Sequence, residues 1–376
     1  MANKEVAAIL DLALQRATES LRSPLVRDPA IVQRIELVAR NAQNRACVRL
    51  LLSAALAKAH RPSVDIRKPY TEIGDPDAYS GRTYDEAYIT EFVARHQLPC
   101  NNTTAFLTPA FRNRNTVLTP ETNLVGRPPS VYKASLAVLD DVHQGKLTAE
   151  ELLAETVRWL LIVRDERQQR MSTLLAGLKA APGEISLPAE GIVTLVEQHL
   201  KLKNSSRLPV LVVAAAYEAA QDNLREHINP LQGHNAADKQ TGSFGDLEIC
   251  LADESEVVTS YEMKTRNVTN NDIDHAIEKT LSHDSAIQNY IFITTEPIDP
   301  DVAAYAYSMF EKAGIEVVVL DCIGFLRHFL HLFYRLRLRF LEAYQELVLA
   351  EPDSAVSQPL KEAFLALRQA AENQEM

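Results

Sequence analysis

Asp246, Glu262 and Lys264 are residues whose types and spacing could together do chemistry. They lie in a stretch that begins Phe-Gly-Asp-Leu-Glu-Ile-Cys-Leu at Phe244. It turns through the acidic residues Asp253, Glu254 and Glu256, and continues as Val-Val-Thr-Ser-Tyr-Glu-Met-Lys-Thr-Arg to Arg266. Apolar and polar residues alternate on both sides of the turn, which predicts two half-buried strands joined as a hairpin. Side chains two apart on a strand share a face, so Glu262 and Lys264 project together while Met263 points the other way. Pairing around the turn brings Asp246 toward them from the neighbouring strand. Two carboxylates so placed suit a hard divalent cation such as Mg²⁺, which takes one or two carboxylates and keeps several waters and phosphate oxygens. A lysine beside such a cation can orient a water and stabilise the added charge of a phosphoryl transition state.

This arrangement resembles the motif of the PD-(D/E)XK nuclease superfamily, which includes most type II restriction endonucleases. Asp246 matches the first acid, Glu262 the second and Lys264 the lysine, while Gly245 stands where the motif's name has proline. The resemblance covers roughly residues 207–340. It implies a metal site made by Asp246, Glu262 and the backbone carbonyl of Met263. Many members also carry an accessory glutamate on the helix before the hairpin, for which Glu218 is the candidate and Glu226 a second one.

The elements that must position these residues can be read along the chain. The first sixty residues carry helical apolar repeats, including Val6, Ile9, Leu10 and Leu14, then Ile35, Val38, Leu50 and Leu51; Asp28-Pro29 offers a helix start and Arg61-Pro62 a stop. Across residues 62–130 periodicity disappears, and the segment is rich in Pro, Gly, Asn, Thr and Arg. Between Arg95 and Lys133 five basic residues stand against one acid, a local excess of positive charge. Arginine and asparagine make bidentate contacts to guanine and adenine edges. The segment therefore reads either as a DNA-recognition surface, with Arg82, Asn101, Asn102, Arg112, Asn113 and Arg114 as contacts, or as a structural loop with solvated arginines.

Helices resume at residues 131–143, and Thr148-Ala149-Glu150-Glu151 is a capping box that opens a long helix toward Leu178. The only tryptophan, Trp159, reads as core. A further short helix runs to Leu200, and the linker 203–206 is the expected domain boundary. Beyond it the pattern predicts an apolar helix over 209–226, a polar loop over 232–243 that could admit a DNA backbone, the hairpin, and then helix, strand, helix, strand. A long helix with a basic stripe is expected over 323–349, and a last helix over 360–371. The expected organisation is a mainly helical region 1–203, an α/β (α+β) domain over 204–350 with a restriction-endonuclease-like mixed central sheet flanked by helices, and a C-terminal helix in 351–376.

Composition sets the outer bounds. With 376 residues, 46% hydrophobic and 24% charged, the chain is long enough for two folded domains. Its four cysteines form no Cys-X-X-Cys pair, which suggests neither a zinc site nor a disulfide framework and points to a reduced, cytoplasmic compartment. No apolar run reaches the length of a membrane span. The net charge of −11 requires a nucleic-acid enzyme to concentrate its positive charge locally. The expected activity is that of a Mg²⁺-dependent, site-specific endodeoxyribonuclease of type II restriction character. In it Thr265 and Arg266 lie within reach of neighbouring phosphates, the substrate is double-stranded DNA, and a palindromic site calls for a homodimer. A non-catalytic DNA-binding or regulatory protein on the same fold, and a repair or defence nuclease of other specificity, remain alternatives.

Overall fold

The computed structural model describes residues 2–42, 45–101, 103–112, 115–179, 187–231, 243–282 and 287–374. The chain is mixed α and β, with one five-stranded mixed sheet. It divides into two units, Met1–Gln169 and Arg170–Met376.

In the N-terminal unit, helices α1 (Ala2–Glu19), α2 (Pro29–Arg40) and α3 (Ala46–His60) follow the expected apolar repeats. Asp28 caps α2 by accepting from the Ala30 N–H, with Pro29 at the first helical position. Helix α3 is buried along nearly its whole length. The described part of the segment without periodicity holds regular structure. It contains α4 (Gly81–Tyr84), a π-helical turn over Asp85–Ile89 and α5 (Thr90–Arg95), which run as one helical stretch that sequence reading did not anticipate.

Its organising interaction is a fully buried ion pair between Arg49 on α3 and Asp85 at the start of the π turn. Arg49 Nε donates to Asp85 Oδ1 at 2.8 Å, and Nη2 donates to Thr90 Oγ1 at 2.7 Å. The other oxygen, Asp85 Oδ2, accepts from Thr104 Oγ1 at 2.6 Å and from the Ala105 N–H at 2.8 Å. The guanidinium also donates to the Asn101 carbonyl. Part of the polar composition of residues 62–130 is therefore internal architecture, because a buried charge pair is tolerated only when its remaining lone pairs and protons are satisfied. Helices α6 (Pro129–His143) and α7 (Ala149–Lys179) complete the unit, and the capping box at Thr148 forms as expected, with reciprocal bonds to Glu151. Trp159 is only partly buried, and the guanidinium groups of Arg40 and Arg158 lie over its ring.

The C-terminal unit begins in α7, about thirty residues before the expected boundary. The reason lies in packing. Helix α8 (Ala189–Leu200) buries Ile192, Val193 and Val196 in the same core as α9 (Leu208–Leu224). The stretch 203–206 is a tight turn between these two helices, with Asn204 at φ +63° and Ser205 Oγ bonded to the Leu200 carbonyl. The C-terminal helix belongs to that core too: α15 (Gln358–Gln374) contributes Leu360, Phe364 and Leu365.

Helix α9 is apolar on nearly all sides because it is covered both by the sheet and by α14 (Arg337–Ala350). It stops at Leu224 where Arg225 adopts φ +55°, and the chain enters β1 (Glu226–Ile228), a strand too short for alternation to reveal. Strand β1 pairs antiparallel with β2 (Leu247–Leu251), which pairs antiparallel with β3 (Val257–Lys264). Parallel pairing then adds β4 (Asn289–Thr294) and β5 (Glu316–Asp321), with α10 (Asn270–Leu281), α11 (Pro300–Tyr307) and α12 (Met309–Ala313) in the crossovers. One face of the sheet, with Leu247, Ile249, Tyr261, Met263, Ile291 and Ile293, packs into the core of α8, α9 and α14. The other, with Tyr290, Phe292, Val317 and Val319, packs against α10 and α11.

The long helix expected over 323–349 is broken. Helix α13 (Cys322–Leu332) ends at Phe333, which leaves helical geometry at ψ +49°, and a 3-10 turn leads into α14. Half of its basic stripe is ion-paired: Arg327 and His331 meet Glu190 at 3.0 and 3.1 Å, and Arg339 meets Asp222 at 3.2 Å. Among the described residues no helix is long and apolar enough to cross a membrane.

The buried pair yields one prediction. Asp85→Ala leaves Arg49 charged in the interior and should lower unfolding stability of the N-terminal unit by about 3–5 kcal/mol; denaturant titration checks this, and a loss below about 1 kcal/mol would contradict it. A second concerns His199, which is fully buried, with Nδ1 against the Tyr344 hydroxyl and Nε2 against the Leu360 carbonyl, both at 3.0 Å. Burial pushes its pKa down from 6.5 to about 4, so the neutral ring is the folded form. Stability from this group is complete above pH 6.5 and is lost as pH falls toward 4. Between neutral pH and about 4.5 the wild type should lose about 2–3 kcal/mol more than His199→Gln does, measured by urea unfolding.

Candidate active site

The site grows out of the pairing between β2 and β3. Leu247 stands opposite Tyr261 and Glu248 opposite Ser260, so the same offset carried one residue outward sets Asp246 opposite Glu262. Asp246 prolongs the ladder by two bonds. Its N–H donates to the Tyr261 carbonyl at 2.8 Å, and its Oδ2 accepts from the Met263 N–H at 2.8 Å. Its backbone and carboxylate thus bracket Glu262 on the neighbouring strand. Asp246 and Glu262 alternate with the core residues Leu247, Tyr261 and Met263, so both stand on the face turned toward α10.

Lys264 shares that face two residues beyond Glu262, and its Nζ lies 2.7 Å from Glu262 Oε1. The two side chains are 21% and 22% exposed. The structure brings the two acids and the amine to one place, where β3 leaves the sheet. In a strand the N–H and C=O of one residue point to the same side. Since the Met263 N–H points at Asp246, the Met263 carbonyl also points to the β2 side, beyond the end of that strand. Two carboxylates and one carbonyl make an all-oxygen donor set, which suits a hard cation that keeps much of its hydration. Among the described residues no group of three or more His, Cys, Asp or Glu side chains is gathered as a metal cage.

Gly245 explains the departure from proline. A Cβ at this position would be driven into the Tyr261 carbonyl oxygen and the Ser260 hydroxyl. The absence of a side chain lets the strand leading to Asp246 lie flat on β3.

Sequence reading missed Asp272, in the first turn of α10. Its carboxylate accepts a two-pronged bond from Arg266, Nη1 to Oδ2 at 2.8 Å and Nη2 to Oδ1 at 2.6 Å, and its Oδ1 lies 3.9 Å from Lys264 Nζ. It also closes a capping box with Thr269. The Arg266 guanidinium, followed by the Thr269 bonds and Lys264, holds the Asp272 carboxyl well below the usual range, so it stays charged. Arg266, expected at DNA phosphates, is exposed but forked onto this acid, and Thr265 beside it is exposed.

Glu218 lies elsewhere. It sits on α9, which covers the opposite face of the sheet, and lines a cavity of about 390 Å³ with Tyr217, Glu226 and Asn229. Neither Asp246 nor Glu262 is in that lining. Burial and the nearby Glu346 raise the Glu218 carboxyl, and burial raises Glu226. The expected recognition residues all belong to the N-terminal unit. Arg82 is exposed and paired with Glu86 at 2.7 Å. Asn101 is exposed, with its carbonyl engaged by Arg49, and Arg112 is exposed. Asn102, Asn113, Arg114 and the polar loop 232–242 lie outside the described residues.

The fit at Gly245 can be tested directly. Gly245→Ala should destabilise the C-terminal unit by about 1–3 kcal/mol, because the atom it meets is backbone and cannot swing aside; thermal unfolding of the full chain checks this, and an unchanged midpoint would show that β2 and β3 separate freely here.

No curated protein matches the chain. A family match covers less than a third of it but includes β1 to β3 and α10: residues 184–296, which contain Asp246, Glu262 and Lys264, match the SacI restriction endonuclease C-terminal domain.

Proposed function

We propose that this protein is a Mg²⁺-dependent, site-specific endodeoxyribonuclease of the PD-(D/E)XK type, working as a type II restriction endonuclease. The observation that carries the reading is the bracket of Asp246 around Glu262 with Lys264 Nζ at 2.7 Å, inside a segment similar to a restriction endonuclease domain. Asp246, Glu262 and the Met263 carbonyl would hold Mg²⁺, which supplies charge neutralisation at the scissile phosphate and a water of lowered pKa.

The remaining work falls to the chain's own groups. Lys264 orients the attacking water through its ammonium and places positive charge where the phosphoryl group gains negative charge. The bond from Met263 to Asp246 keeps that acid from swinging, so it meets substrate already in place. Thr265 offers a hydroxyl to a flanking phosphate, and Arg266 reaches one by exchanging its fork on Asp272 for the phosphate oxygens. Arg112, exposed on the N-terminal unit, is the described residue best suited to read a base edge. A palindromic target cut on both strands requires two such sites, hence a twofold dimer.

Incubation of the purified protein with plasmid DNA of known sequence and Mg²⁺ should give discrete fragments. Lys264→Ala should reduce the rate at least about a hundredfold while leaving gel-shift affinity for DNA within a few fold. Undiminished cutting by that variant would remove Lys264 from the chemistry, and a wild type that binds DNA without cutting it would favour a regulatory role. Arg112→Ala should weaken specific binding by about 1–3 kcal/mol; equal affinity for target and non-target DNA before and after the change would place recognition elsewhere.

A further inference from the structure

Glu248 stands two residues after Asp246, on the same face of β2. It is half-buried, and its carboxylate is a point of convergence. Its Oε1 accepts from the Phe244 N–H at 2.7 Å and lies 3.0 Å from Ser243 Oγ, while its Oε2 accepts from Asn229 Nδ2 at 3.2 Å. The Ser243 hydroxyl also reaches the Gly245 carbonyl at 2.7 Å, sharing its single proton between the two acceptors. From β4, on the far side of β3, the Tyr290 hydroxyl donates to the Phe244 carbonyl at 2.8 Å. Both polar groups of the Phe244 backbone are thereby held, its N–H by Glu248 and its carbonyl by Tyr290. Gly245 then lies against β3, and Asp246 follows immediately.

We infer that Glu248 is a positioning residue for Asp246: by clamping residues 243–245 it fixes the backbone from which the Asp246 carboxylate reaches the Met263 N–H. This rests on the nuclease reading of Asp246 for its functional meaning, though not for its geometry. Glu248 acts through the loop. Its oxygens are engaged by donors of the protein itself. An ionised carboxylate suits this place because it accepts from several converging donors at once and donates to none. Partners of this kind tune a metal-binding acid about 10–100-fold in affinity or activity.

Full-length wild type, Glu248→Ala and Glu248→Gln should be compared by three measurements: amide exchange at Met263, calorimetric binding of Mg²⁺ alone, and kcat and KM on a DNA duplex. In Glu248→Ala the Met263 N–H should exchange about tenfold faster or more, Mg²⁺ affinity should fall about tenfold, and kcat should fall about 10–100-fold with KM within about twofold. Glu248→Gln should recover most of this. Its amide oxygen can still accept from Phe244 and Ser243, and its NH₂ can meet Asn229 once that amide turns over.

Unchanged Met263 exchange and Mg²⁺ binding in Glu248→Ala would overturn the inference. So would a Glu248→Gln variant as impaired as Glu248→Ala, since that would assign the effect to charge. Should Glu248→Ala fail to fold, Ser243→Ala removes one arm of the clamp and should move the same readouts in the same direction; no movement overturns the proposal. A wild type that neither binds Mg²⁺ nor cuts DNA would sink the nuclease reading alone, because Met263 exchange still decides whether Glu248 sets Asp246.

Discussion

The bond from the Met263 N–H to the Asp246 carboxylate is the constraint on which the site depends. It turns a side chain into a rung of the sheet. An acid on a free rotamer would spend most of its time away from its partner, whereas this one is fixed by strand spacing. The adjacent bond from the Asp246 N–H to Tyr261 sets the backbone, and Glu262 sits between the two attachment points. Lys264 follows by the two-residue repeat of the strand. Gly245 is the local requirement that lets the approach lie so close.

Around this rung the charges are balanced pair by pair. Lys264 meets Glu262 and Arg266 meets Asp272, while on the far side of the sheet Arg327 and His331 meet Glu190 and Arg339 meets Asp222. In the proposed reading, a chain of net charge −11 would meet a polyanion through local exchange of partners more than through its overall field. Arg266 and Asp272 illustrate the exchange. A phosphate would offer the guanidinium the same two-pronged geometry that the carboxylate does, and the Thr269 bonds would still hold the released Asp272 carboxylate in place.

Much of this was legible before any coordinates. Alternation around Asp253–Glu256 marked the hairpin, and the succession of helix and strand after it marked the mixed sheet. The order of Asp246, Glu262 and Lys264 then put the three on one face. What escaped has identifiable causes. Strand β1 is three residues long, less than one full alternation, and the sequence before it continues a helical pattern up to Arg225. The break at Phe333 lies inside an apolar run that satisfies a helix equally well. A polar tetrapeptide at 203–206 reads as a linker, whereas the packing of α8 against α13 and α15, which joins it to the C-terminal unit, is a long-range property. Asp272 was within reach, since Thr269-X-X-Asp272 has capping-box spacing. The link from Arg49 to Asp85 was not, because nothing in a sequence says which of many arginines turns inward.

That inward arginine bears on how a protein of this kind could change its target. The side chains of Asp85, Thr90 and Thr104 meet at one guanidinium and its carboxylate, so replacing any of them disturbs the interior. Positions such as Arg112, which face solvent, carry no such debt. If those outer positions read DNA, as proposed, they can vary one at a time while the inner frame stays as it is, and a different preference needs no different fold.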